Sequence, residues 1–417
     1  MSAPILAVIG GGQLARMMQE EASALGIHLR TLVETPDGSA AQVTVDAPVG
    51  RADDADAVRA LVTGAAALTF EHEHQDSAVL TQLQAEGVPV RPAPEALLLA
   101  RDKLAMRRAV DAAGLPQPAW AEIAGNAQEM RAQIRAFAAD HGWPVVLKTP
   151  RGGYDGHGVL MVDSATALDD GEAATWLEAT AAARAGHATN GTGGGGSLGG
   201  GAVTSLLVEA AVPFTRELAV LLARRPSGQI AVWPVVESVQ SDGICVETVA
   251  PAPGLDPAAA RQAEHIGRTI AERADVTGVL AVELFAVEAP EGTRLYINEL
   301  AMRPHNSGHW TQDGALTSQF AQHLRAVLDL PLGATTPTAP TTVMVNYLGG
   351  DSLPPADALA RALECEPRAH IHLYGKQWRP GRKLGHVNLT ASATDPAGID
   401  AVRERARAVV AILRGEA

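Results

Sequence analysis

The chain has 417 residues, 47% of them hydrophobic, and a formal net charge of −14. That length and ordinary globular composition support two to three domains around a sizeable core. The acidic balance argues against an extended nucleic-acid or anionic-membrane surface. Cys245 and Cys365, far apart in the chain, offer neither a disulfide framework nor metal-ligand spacing, which fits a reducing cytoplasm. No apolar run reaches the roughly 18 residues of a membrane span, and no basic segment followed by an apolar stretch opens the chain. A soluble intracellular protein is expected.

ILAVIG (5–10) reads as a buried strand that runs into Gly10-Gly11-Gly12. QLARMMQEEASALG follows as an amphipathic helix with Leu14, Met17, Met18, Ala22 and Leu25 inward and Gly26 as its C-cap. IHLRTLVE (27–34) is the next strand, completing a βαβ unit. Gly10-x-Gly12-x-x-Ala15, with Glu34 as a downstream acid, matches the dinucleotide fingerprint. Such a turn lets a phosphate approach a helix N-terminus, so an NAD-dependent oxidoreductase is one reading. AALTFEHEH (66–74) is a later strand ending in Glu71, His72, Glu73 and His74, a pattern that suits either metal ligands or a solvated strand end.

Beyond residue 100, RDKLAMRRAVDAAGLPQP predicts a helix N-capped by Asp102 and ended at Gly114. Another helix (126–140) leads to WPVVLKTPRGGYDGHGVLMV. There a strand carries Lys148, and a glycine-rich loop joins it to a second strand. Because the loop lies between two strands it is not a P-loop, which needs a following helix. Gly152, Gly153, Gly156 and Gly158 leave backbone N–H groups open to cradle phosphate, with Lys148 supplying charge. Residues 186–201 are a low-complexity insertion. LLVEAAVPFTRELAVLLAR (206–224) reads as strand, turn, strand, with Glu209 and Glu217 flanking the turn. AVWPVVESV (231–239) is a further strand, and 257–274 a helix.

VLAVELFAV (279–287) and TRLYINEL (293–300) are separated by the turn Glu288–Gly292. A hairpin centred near Glu291 places Glu283 opposite Glu299. Like charges so opposed, about 5 Å apart, destabilise a sheet. A divalent cation such as Mg²⁺, held by carboxylates and substrate phosphates, resolves the conflict, and Asn298 adds a neutral oxygen. A solvated edge hairpin is the alternative, but Val279, Ala281, Phe285 and Val287 share the parity of Glu283 and mark a face at least half buried. The strand then enters ELAMRPHNSGHWTQDG (299–314), a polar loop carrying Arg303, His305, Asn306, His309, Trp310 and Asp313, where a site is expected. SQFAQHLRAVLDLPLG reads as a helix and TTPTAPT (335–341) as a linker. VMVNYLG and HIHLYGKQWRPGRKLGHVNL form a β-rich C-terminal region. Its Lys376, Arg379, Arg382 and Lys383, with His386, suit an anion or a solvated rim.

Taken in order, GGGQLARM, RDKLAMR, VLKTPRGGYDGHG, VEAAVPFTRE, INELAMRPHNSGHWT and RPGRKLGH resemble the N5-carboxyaminoimidazole ribonucleotide synthetase family of the ATP-grasp superfamily, over roughly residues 5 to 400. The resemblance implies an α/β fold: a Rossmann-like N-terminal domain (1–101), an ATP-grasp domain (102–334) with a mobile lid (about 115–208), and a small β-rich C-terminal domain (342–417). It implies that ATP, bicarbonate and 5-aminoimidazole ribonucleotide give the N5-carboxylated ribonucleotide, ADP and phosphate through carboxyphosphate, with Mg²⁺, in a cytoplasmic homodimer of purine biosynthesis. By the same resemblance, Lys103, Lys148 and the lid loop Gly153, Tyr154, Asp155, Gly156, His157, Gly158 and Val159 lie along the ATP phosphates. Glu209, Ala210, Ala211 and Val212 line the adenine, Glu217 holds the ribose, and Gln240 lies near the nucleotide. Glu283 and Glu299 hold the metal beside Asn298. Arg303 and His305 face carboxyphosphate; Glu73, Tyr154 and Asp155 meet the ribonucleotide, and Lys376, Arg382 and Lys383 take its 5′-phosphate. His157 and Gln240 depart from the family's usual Arg or Lys and His. Another ATP-grasp ligase, a formate-using transformylase, and a non-catalytic nucleotide-binding module are the remaining alternatives.

Overall fold

The computed structural model describes residues 3–152, 158–186, 203–290, 292–392 and 394–416. The expectations placed on Gly153 to His157 and on the glycine-rich insertion from residue 187 onward lie outside these residues.

The first unit alternates strand and helix: β1 Ile5–Ile9, α1 Gln13–Leu25, β2 His28–Leu32, α2 Ala55–Val62, β3 Ala67–Phe70, α3 Ser77–Ala85 and α4 Pro94–Arg101. The three strands are parallel in the order β2-β1-β3. Strand alternation divides β1 between two cores. Leu6 and Val8 pack with Met17 and Met18 of α1, while Ala7 and Ile9 join the core on the opposite face. Gly26 caps α1 in the left-handed region at φ 66°. Leu25, expected inward, is exposed.

Next come α5 Lys103–Ala113, β4 Trp120–Ile123, α6 Ala127–His141, β5 Val145–Lys148, β6 Val159–Val162, α7 Gly171–Arg184 and β7 Leu206–Ala210. Asp102 caps α5 through Ala105 N–H, and Gly114 ends it at φ 66°. Asn126 and Glu129 form a reciprocal capping box on α6. β4-β7-β5-β6 make a separate antiparallel sheet covered by Met130, Ile134, Trp176 and Leu177 of the two helices.

The remaining strands are β8 Arg216–Arg224, β9 Ile230–Val232, β10 Val236–Ser241, β11 Ile244–Ala250, β12 Gly278–Ala289, β13 Gly292–Ala301, β14 Thr341–Leu348, β15 His370–Leu373 and β16 Lys383–Ala391. They form one sheet in the order β13-β12-β8-β10-β11-β14-β16-β15, with β9 beside β8. Its helices are α8 Pro257–Arg273, the single turn α9 Thr311–Gly314, α10 Gln319–Val327, α11 Ala358–Cys365 and α12 Pro396–Arg414. Residues 206–224 form the expected two strands, which belong to different sheets. Two expectations change here. The run 231–239 is broken into β9 and β10 around Pro234, which cannot donate to a ladder. The helix from Ser318 stops at Val327, before Asp329 takes a left-handed φ of 56°. The C-terminal region carries its expected strands and also α12, whose Val402, Ala406 and Val409 pack on Val343, Val387 and Leu389.

Because β14 and β16 continue the sheet that contains β12 and β13, the C-terminal core and the hairpin are expected to unfold together. Leu389→Ala, at a fully buried position, is expected to cost about 2–5 kcal/mol and to lower one calorimetric transition; a separate early transition would argue for an independent C-terminal unit.

Candidate active site at a bulged hairpin

The β12–β13 hairpin sets the site. Near its turn Ala289 opposes Gly292 and Leu284 opposes Ile297; beyond it Glu283 opposes Glu299 and Ala281 opposes Ala301. The register steps by one residue between these stretches, and the extra residue is Asn298. The turn's own register would have set Glu283 against Asn298, so the carboxylate confrontation expected from sequence exists because of a β-bulge. On its other side Glu283 pairs with Ala219 of β8. Glu217, two residues earlier, therefore shares its face. Three carboxylates thus stand on one face of three adjacent strands.

Their environment is strained electrostatically. Burial, then the Glu299 and Glu217 carboxylates, push the Glu283 carboxyl up to about 8. Burial raises Glu217 to about 7 against the pull of Lys148. Lys103 at the start of α5 reaches Glu299 at 3.1 Å. His305 Nε2 lies 3.2 Å from Glu283 Oε1, and its Nδ1 lies 2.9 Å from Ser307 Oγ. Burial, with Arg303 and Lys383 nearby, holds His305 down at about 3, so it is a neutral imidazole near pH 7.

Lys148, at the end of β5, meets Glu209 of β7 at 2.8 Å and Asn298 Oδ1 at 3.3 Å. The other Glu209 oxygen accepts from Arg107 Nε at 2.6 Å. Burial would raise the Glu209 carboxyl, but Lys148 and Arg107 outweigh it and leave the group below its ordinary value. After Glu209 the segment Ala210–Ala211–Val212 crosses from the four-stranded to the nine-stranded sheet. Arg107 was missed by the sequence reading. Its one signal was spacing, since Lys103 and Arg107 are i, i+4 on the same helix face.

The N-terminal unit closes the other side. Glu71, just past β3, accepts hydrogen bonds from the N–H groups of Gly12 and Leu14. A Cβ on Gly12 would lie 2.1 Å from Glu71 Oε1. The glycine turn and helix N-terminus of the dinucleotide fingerprint are thus filled by the protein's own carboxylate, which removes the ground for the NAD reading. Glu73 pairs with Arg303 at 2.8 Å, and Arg303 also feels Glu71 and Glu299, linking this edge to the carboxylate face. From the C-terminal region Lys376 donates to Gln13 on α1. Burial brings Lys376 down to about 8, Arg382 and Lys383 adding to the fall and Glu71 opposing it. Not every polar loop residue joins this cleft. His309 is buried between Phe320 and His386, and Asp313 pairs with His370 and His372 at 3.1 and 2.9 Å. Gln240, on β10, donates to Ser238, which pairs with Glu217 across the sheet.

Three family models match: a ribonucleotide synthetase preATP-grasp domain over residues 4–101, an ATP-grasp domain over 108–320, and a phosphoribosylaminoimidazole carboxylase C-terminal domain over 342–398. The N5-carboxyaminoimidazole ribonucleotide synthase of Mycobacterium leprae is 46% identical over 97% of this chain and 88% of its own. The chain belongs to that family. It is an ATP-grasp ligase of purine biosynthesis. The crystal structure of the Thermus thermophilus synthetase superposes at a TM-score of 0.80 with 34% identity over 99% of both chains. That of the Aspergillus clavatus enzyme, in complex with ADP and 5-aminoimidazole ribonucleotide, does so at 0.80 with 27% identity, again over 99% of both.

The residues fit a hard divalent cation as this ligase family uses it. Glu283, Glu299 and Asn298 offer oxygen donors, and the Glu283 and Glu299 carboxylates stand opposite each other across the two strands. Among the described residues no group of three or more His, Cys, Asp or Glu that could hold a metal is found; carboxylates together with substrate phosphates are the usual shell of Mg²⁺. A pH dependence follows. The folded pKa of Glu283 lies above its unfolded value, so the stability it contributes is present below about pH 4.5 and is lost as pH rises through about 8. Glu217 acts in the same direction. Without ligands the folding stability should fall between pH 5 and 8.5 by an amount on the order of a few kcal/mol, read as a falling melting temperature, and Glu283→Gln should flatten that slope. An unchanged slope in the variant would show that Glu283 is not the strained group.

Proposed function

We propose that this site carboxylates 5-aminoimidazole ribonucleotide in two steps, with bicarbonate as the carbon source and carboxyphosphate as the intermediate. The observation that carries the reading is the row of Glu217, Glu283 and Glu299 on one face of β8, β12 and β13, flanked by Lys103 and Lys148. That arrangement binds a cation and positions phosphates, which is most of what phosphoryl transfer asks of a protein.

ATP lies with its phosphates along Lys103 and Lys148 and under the loop Gly153–Val159, its adenine against Glu209, Ala210, Ala211 and Val212, and its ribose on Glu217, with Gln240 nearby. Mg²⁺, held by Glu283 and Glu299 beside Asn298, would neutralise charge on the transferring phosphoryl group. A bicarbonate oxygen attacks the γ-phosphorus, the bond to the β-phosphate oxygen breaks, and ADP and carboxyphosphate form. Closure of the lid, about 115–208, shields the intermediate from water. The exocyclic amine then attacks the carboxyl carbon, phosphate leaves with the bridging oxygen, and the amine nitrogen gives up one proton. Arg303 faces the intermediate's negative charge. Asp155 is the group proposed to receive that proton, and His305, a neutral imidazole oriented by Ser307, lines the side of the intermediate. Glu73 and Tyr154 orient the ribonucleotide, and Lys376, Arg382 and Lys383 hold its 5′-phosphate. The three matched family models, over 4–101, 108–320 and 342–398, support treating 1–101, 102–334 and 342–417 as the working units. The family resemblance supports a homodimer, and two unpaired cysteines support a cytoplasmic setting.

Bicarbonate labelled with ¹⁸O distinguishes this route. One labelled oxygen should appear in the phosphate released per turnover, in a reaction whose ADP release rises with the ribonucleotide; unlabelled phosphate would exclude carboxyphosphate. Separately, Lys376→Met should raise KM for the ribonucleotide by about 10- to 100-fold, roughly 1.4–2.7 kcal/mol of binding, with KM for ATP little changed. Equal shifts in both would move Lys376 away from the ribonucleotide.

A further inference from the structure

Arg107 sits at the centre of α5 with no accessible surface, yet it faces no solvent and is assigned no ligand by the reading above. Each of its three nitrogens donates. Nε donates to Glu209 at 2.6 Å. One terminal nitrogen donates to the Ile297 carbonyl at 2.7 Å and to Gln117 at 3.3 Å, and the other to the Asn298 carbonyl at 3.1 Å. Ile297 and Asn298 are the bulge of β13, on the outer edge of the nine-stranded sheet. Beside them Ile297 N–H donates to the Pro116 carbonyl at 2.9 Å. A bulge on an edge strand leaves backbone groups that the ladder does not satisfy, and α5 with the segment after it supplies the partners.

The contacts close into a ring: Arg107 to Glu209, Glu209 to Lys148, Lys148 to the Asn298 side chain, and the Asn298 carbonyl back to Arg107. Four elements meet there, α5, β7, β5 and β13. Two belong to the lid sheet and one carries Glu299. We propose that Arg107 is the positioning residue of the nucleotide site: its fork fixes Lys148 through Glu209 and, in the same grip, fixes the bulge that sets Glu299 across from Glu283. The inference rests on the proposal that Lys148 serves the phosphates and the glutamate pair the metal. A lysine could not replace it fully, because an ammonium can neutralise Glu209 but lacks the planar fork needed to hold two successive carbonyls at once.

The test is ADP formation by the full-length wild type, Arg107→Lys and Arg107→Met, with ATP and Mg²⁺ varied at saturating ribonucleotide and bicarbonate, together with calorimetric binding of ADP with Mg²⁺. Arg107→Met should raise both KM for ATP and the Mg²⁺ half-saturation by about 10- to 100-fold and leave KM for the ribonucleotide within about twofold. Arg107→Lys should restore KM for ATP while the Mg²⁺ requirement stays raised. If Arg107→Met cannot be recovered folded, the same split in Arg107→Lys decides. Lysine matching wild type in both readouts, or methionine lowering kcat alone, overturns the proposal. A wild type whose ADP formation ignores Mg²⁺ would instead sink the metal reading on which it stands.

Discussion

Three carboxylates on one face of three neighbouring strands is an arrangement a sheet does not tolerate alone. Much of the surrounding architecture answers that constraint. Lys103 comes from the start of α5, Lys148 from a second sheet, His305 from the loop after β13, and Arg303 stands between Glu299 and the N-terminal unit. The partial compensation is visible in Glu283, still pushed up to about 8. On the proposed reading, this face takes a cation brought with the nucleotide. This links a local rule of strand pairing to the chemistry of phosphoryl transfer.

The same seam explains the N-terminal unit. Its βαβ start looks like a cofactor-binding module, but Glu71 caps α1 from across the sheet and takes the N–H groups that a pyrophosphate would use. What remains available is the rim: Glu73 turned toward Arg303, and Gln13 turned toward Lys376. A turn shaped like a phosphate-binding one thus serves as a wall, and the basic loop between β15 and β16 is drawn against it through Lys376.

Much of this was legible in the sequence, where local rules apply. Period-two alternation placed Glu283 and Glu299 on one half-buried face, and the Asp102 and Gly114 caps bounded α5. Other features depend on partners distant in the chain. The constant-sum hairpin found the right glutamate pair but not the Asn298 bulge that creates it, because the bulge is satisfied by Arg107 and Pro116, some 180 residues upstream. The strands that carry Glu209 and Glu217 follow one another closely in the chain, yet they part into two sheets, a division no local pattern encodes. Glu71 read as one member of an alternating Glu-His run, since only the folded β1–α1 turn reveals what its carboxylate caps. The order of motifs, by contrast, carried the family identification unaided.

The most direct measurement is Mn²⁺ binding, as a stand-in for Mg²⁺, followed by electron paramagnetic resonance in the presence of saturating ADP, for the wild type and for Glu283→Gln and Glu299→Gln. The carboxylate face predicts ADP-dependent Mn²⁺ binding by the wild type that is weakened at least tenfold in each variant, with ADP itself still bound. Variants that bind Mn²⁺ as tightly as the wild type would show that the two glutamates face each other for some reason other than a metal.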